Sequence, residues 1–138
     1  MPISIRFDDS GRYLIASIRG RILASDLRTA YEAFYAGNDV PLNTGELVDL
    51  SAADLDSLTH ESLTEFARWG EEFLRARGDT ARKTAFYMPG LPGRSKLVIY
   101  EVLVQESPEI TRTFSNREEA ARWLTDPSAD SATRKPTR

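Results

Sequence analysis

The chain has no cysteine in its 138 residues. Disulfides, thiolate metal sites and cysteine nucleophiles are excluded together, and the composition suits a reducing compartment. Histidine occurs once, at His60, so a zinc site built on a histidine pair is also excluded. Long apolar runs are missing. The longest extends from Leu97 to Val104, with Glu101 interrupting it, far short of the ~20 residues that cross a bilayer as a helix. The first residues, Met-Pro-Ile-Ser-Ile-Arg, lack the basic and apolar regions of a secretory signal. The expectation is a cytoplasmic protein with no integral membrane segment. Basic charge is absent from Asp39 to Glu65, where seven acids stand without a Lys or Arg. From Arg68 to Lys96 seven basic residues face three acids, so one acidic and one basic surface are expected. The net charge of −3 argues against a nucleic-acid partner.

What is present reads as one α/β domain over residues 1–125, followed by a disordered tail over 126–138 made of Ser, Thr, Pro and charge. Ile3, Ile5 and Phe7 alternate with polar residues, the period of a half-buried strand. The turn cluster Asp8-Asp9-Ser10-Gly11 then leads to a β-rich run from Tyr13 to Ile18, together an antiparallel hairpin. Ser25 is placed to cap a helix carrying Leu27, Ala30, Tyr31 and Phe34 on one face, with Gly37 ending it. Glu46–Leu50 reads as a strand. His60–Arg77 reads as a helix capped by Thr59, with Leu63, Phe66, Ala67, Gly70, Phe73 and Leu74 on its apolar face and Gly78 at its end. Lys83–Met88 and Ile110–Phe114 read as strands. Leu97–Val104 has the β-branched content of a strand, yet it follows Ser95 and lies between two strands. It is assigned as a crossover helix reaching Glu106. Ser115 and Glu118 stand at capping-box spacing before a last helix ending in Trp123-Leu124. The order β-β-α-β-α-β-α-β-α predicts a mixed five-stranded sheet with an N-terminal antiparallel hairpin, right-handed crossovers and four helices.

This order, with the ending Thr113-Phe114-Ser115-Asn116-Arg117-Glu118-Glu119-Ala120-Ala121-Arg122-Trp123-Leu124, resembles the SpoIIAA-like family, small α/β proteins grouped with STAS and Sec14-type domains. The resemblance covers residues 3 to 125. It implies a SpoIIAA-like (STAS-type) fold. Relatives that act as anti-sigma-factor antagonists carry a strand ending Asp-Leu-Ser, then Asp-Ser-Ser-Gly opening a helix, with the second of those serines phosphorylated by a partner kinase. Asp49-Leu50-Ser51 matches the first part, and Asp56-Ser57 matches the Asp-Ser pair after a one-residue deletion. Leu58 and Thr59 stand where the motif has Ser and Gly. The phosphoacceptor is missing by strict alignment, leaving Ser57 and Thr59 as the nearby hydroxyls.

No catalytic set emerges. Asp56, Ser57 and His60 supply the residue types of a hydrolytic triad but lie too close in sequence for its geometry. Asp54, Asp56, His60 and Glu61 match neither a zinc helix nor a calcium loop, so no metal and no cofactor is expected. Gly90-Leu91-Pro92-Gly93-Arg94-Ser95-Lys96 lacks the spacing of a phosphate loop, although Arg94, Lys96 and a helix start offer a milder anion contact. Trp69 falls off the Phe66–Phe73 line, at the core edge or in a contact between two copies of the chain. The expectation is a non-enzymatic regulatory or protein-interaction module whose recognition residues are Ser51, Asp56, Ser57, Thr59, Arg94 and Lys96, in loops after parallel strands. The alternative is a Sec14-like protein holding a small apolar or amphipathic ligand. An apolar cavity above ~300 Å³ would favour the ligand, and an exposed apolar patch would favour the partner protein.

Overall fold

The computed structural model describes residues 2–126. Five strands and four helices alternate after an opening hairpin: β1 (Ile3–Phe7), β2 (Tyr13–Arg21), α1 (Ala24–Gly37), β3 (Gly45–Asp54), α2 (His60–Arg77), β4 (Arg82–Tyr87), α3 (Arg94–Leu103), β5 (Glu109–Phe114) and α4 (Arg117–Thr125). The strands lie side by side in sequence order. β1 and β2 are antiparallel, and every later neighbour is parallel. The expected mixed sheet and α/β architecture are therefore present.

The topology dictates where the helices go. Each crossover from β2 to β5 steps in the same direction, and right-handed crossovers in one direction deposit their helices on one face. α1, α2 and α3 accordingly share a face, packed over Ile3, Ala16, Ile18, Val48, Leu50 and Phe86. α4 folds back onto the other face, where Ala120 and Trp123 cover Leu47, Ala85 and Phe114. The expectation for the tail lies, beyond Asp126, outside the described residues.

Several boundaries differ from the sequence reading, each for a local reason. Ser25 does not cap α1. The amides of Asp26 and Leu27 donate to Leu23 O at 3.0 and 3.2 Å, so the helix starts at Ala24 and Ser25 falls within its first turn. β3 continues past Leu50 to Asp54, because β2 also continues to Arg21 and the two resume pairing beyond a bulge. α3 is helical as expected but closes at Leu103 rather than Glu106. Ser115 and Glu118 do not form the last capping box. Asn116 caps α4 by accepting from the Glu119 amide at 3.0 Å, and the Ser115 hydroxyl turns instead to Arg94. α2 follows the sequence closely. Thr59 and Ser62 cap each other's amides at 2.9 and 3.0 Å, and Gly78 closes the helix at φ +99°, a conformation glycine adopts without steric cost.

Candidate functional site

The six expected recognition residues fall into two groups. Thr59 and Lys96 come together: the Lys96 ammonium donates to the carbonyl of Leu58, joining the loop after β3 to the first turn of α3. Gly93, at φ +87°, turns the chain into α3 so closely that a Cβ there would lie 3.1 Å from Leu55 and 3.3 Å from Met88. The Ser57 hydroxyl accepts from Arg21 Nε at 2.5 Å. The Asp56 amide donates to the Asp54 carboxylate at 2.9 Å. Arg94 reaches across to the end of β5, donating to Met88 O at 3.2 Å and Ser115 Oγ at 3.0 Å.

Ser51 belongs to a different setting. It lies in β3, not in the loop, and its hydroxyl donates to Asp49 Oδ1 at 2.6 Å. Arg117, the first residue of α4, donates to Asp49 Oδ2 at 2.6 Å. Burial alone would raise the Asp49 pKa, but the Ser51 hydrogen bonds and the Arg117 charge together bring it below its ordinary value. His60 opens α2 and is exposed, its carbonyl accepting from Thr64. Among the described residues no three His, Asp or Glu side chains gather as metal ligands.

Three apolar side chains near this loop pair are exposed. Leu91, Val98 and Val102 are 82%, 57% and 59% exposed. Val98 and Val102 stand one turn apart on the outer side of α3, and Leu91 precedes that helix in the loop after β4.

A second feature escaped the sequence reading: a charged cluster buried under α1–α3. Glu46 and Arg82 form an ion pair, with Tyr31 donating its hydroxyl to the other Glu46 oxygen. Glu109 accepts from Thr84 Oγ1 at 2.5 Å and from Tyr100 at 2.6 Å. Burial, then the neighbouring carboxylates, hold the Tyr31 and Tyr100 hydroxyls well above their usual pKa, so both remain donors. Next to the cluster lies a partly open cavity of about 90 Å³, with Phe66, Trp69, Gly70 and Phe73 of α2 among its walls. Trp69 stacks on Phe73 at 5.1 Å and meets the Arg28 guanidinium at 5.6 Å, which places it at the core edge. The signal in the sequence was parity. Glu46 shares the alternation of Val48 and Leu50, and Arg82 and Thr84 share that of Phe86, so polar groups stood at inward positions of central strands.

The arrangement defines a class of protein. A five-stranded mixed sheet with three helices on one face and a single returning helix on the other is a SpoIIAA-like α/β fold. A solved structure with this fold, an uncharacterized protein of the DUF3478 family from Shewanella loihica PV-4, is similar over 88% of this chain and 91% of its own, at 18% identity and a TM-score of 0.52. No protein-family model matches the chain, and no curated protein matches it in sequence. Among the described residues no helix is long and apolar enough to cross a membrane.

Proposed function

We propose that the chain is a non-enzymatic regulatory module that docks a partner protein at the edge formed by the loops after β3 and β4 and the outer side of α3. The observation that carries this reading is the exposure of Leu91, Val98 and Val102 in and after the loop that follows β4, in a loop pair tied together by Lys96 and Leu58. Three large apolar side chains left in water on one edge are the mark of a covered surface. The acids Asp54 and Asp56, at the end of β3 and just after it, suit a partner with a basic rim. A cavity of about 90 Å³ is well short of what an acyl-chain ligand needs, which favours the interaction reading over the Sec14-like one. Arg94 and Lys96 already donate to protein acceptors, so their part is to hold the edge in shape. Cytoplasmic location belongs to the same proposal.

The test is in-cell crosslinking with mass spectrometry, comparing wild type with the double variant Val98→Asp, Val102→Asp. Both positions are exposed, so the variant folds. A partner crosslinked through α3 in wild type and lost in the variant supports the reading. Crosslinks that map elsewhere, or that survive the variant, overturn it.

A further inference from the structure

We propose that the cavity beneath α2 is a binding site for a small primary amine, with its ammonium seated against Glu109. Glu109 is 8% exposed and, among the described residues, its carboxylate accepts from the neutral hydroxyls of Thr84 and Tyr100. No cation of the protein forms an ion pair with it among the described residues. Arg82 is committed to Glu46 and the Tyr35 hydroxyl, and Lys96, which also lines the cavity, is committed to the Leu58 carbonyl. Arg82 is also the neighbour of Glu109 across β4 and β5, so the cluster holds two buried carboxylates for one guanidinium. The unbalanced buried charge is costly, and the Glu109 oxygens retain lone pairs beyond the two they use. An ammonium has the charge and the donors that this position lacks.

Two further observations concern the same space. Arg82, 6% exposed and part of the cavity wall, leaves its Nε–H without an acceptor among the described residues. Buried donors are satisfied as a rule, so an orphan here points to a water in the cavity, one that shares the space with the amine. Gly70 stands in the interior of α2, where glycine costs about 1 kcal/mol relative to alanine. A Cβ built there meets nothing within 4 Å, so packing does not require the glycine. Its effect is to leave the cavity open beside Phe66, Trp69 and Phe73.

The remaining walls are apolar and set the rest of the ligand. Ile18, Leu27, Val48, Leu63 and Leu97 suit a short branched hydrocarbon body. An apolar cavity of about 150 Å³ holds benzene, so this smaller one takes a body of a few heavy atoms. The site shares Lys96 and Leu58 with the α3 edge, on the inner side of that link, and neither proposal depends on the other.

The experiment is protein-observed NMR on the full chain with three probes of equal size: isopropylammonium, 2-propanol and acetate. The expected result is saturable binding of isopropylammonium in the millimolar range, in keeping with fragment-sized ligands, with shifts at the Gly70 amide and the Arg82 Nε–H. 2-Propanol should bind about tenfold more weakly, the worth of one charge-assisted hydrogen bond, and acetate should not bind. Glu109→Gln should remove the preference for the amine while leaving the alcohol unchanged, and Gly70→Leu should abolish binding of both. Failure of all three probes to bind wild type, equal binding, or acetate binding best would overturn the proposal without any variant. Amine binding that survives Glu109→Gln or Gly70→Leu would overturn it as well, by placing the ammonium elsewhere.

Discussion

Glu46 on β3 and Arg82 on β4 form a buried ion pair, with residue exposures of 1% and 6%. A buried pair of this kind adds little net stability over a well-packed apolar pair, yet losing one partner leaves an uncompensated charge. Arg82→Met should therefore cost about 3–5 kcal/mol, and the double variant Glu46→Leu, Arg82→Met should recover much of that loss. Urea titration of the four proteins in the cycle measures the coupling. Additive losses would show that the two side chains act independently.

The cluster also sets a pH dependence. Burial raises the Glu46 carboxyl above its ordinary 4.5, with Arg82 and Tyr31 countering only part of the effect. Between the unfolded value and the raised folded one, the folded state holds more protons than the unfolded state. Stability due to Glu46 thus falls as pH rises through that window. Asp49 has the opposite sign. Its folded pKa is depressed, so its contribution is present above the unfolded value and is lost as pH falls through the folded one. Glu46→Gln should flatten the falling limb of a stability-against-pH curve, and Asp49→Asn should flatten the acid limb.

Trp123 is the centre of the second core. It is 5% exposed, lies 5.7 Å from the Phe114 ring and carries the Lys83 ammonium at 5.2 Å over its face. Trp123→Ala should cost ~3–5 kcal/mol, the range for truncating a large buried aromatic. Denaturant midpoints close to wild type would show that α4 is dispensable.

Gly93 joins the two loops of the proposed docking edge. Its positive φ and the closeness of Leu55 and Met88 mean that Gly93→Ala should destabilise by about 1–2 kcal/mol from the backbone alone. Amide shifts should spread to Leu58 and Lys96. Shifts confined to the α3 start would indicate that the edge is not mechanically coupled.

Much of the fold was legible because hydrophobic period and turn chemistry agree along most of the chain. Thr59 and Gly78 bracket α2 as their residue types require, and the helix over Leu97 was recovered from its place between two strands against its β propensity. The misread ends lay where two candidate caps stood together, as with Ser115 beside Asn116, or where strand length depended on a neighbour, as with β3 beside β2. The buried cluster was harder to see. Glu46, Arg82, Thr84 and Glu109 are scattered over 64 positions and brought into one layer by the register of β3, β4 and β5, while α3 adds Tyr100 from above. No local pattern announces a partnership made by three strands.

Strand order that equals chain order has a consequence for biosynthesis. Each strand leaving the ribosome has its partner in the strand made just before it, so the sheet grows by addition at one edge, each parallel pairing waiting only on its own crossover helix. The exception is the face covered by α4. Leu47, Ala85 and Phe114 await a helix made after all five strands. Until residue 125 has emerged, the nascent sheet presents an oily side, and that interval is when the chain is most exposed to aggregation.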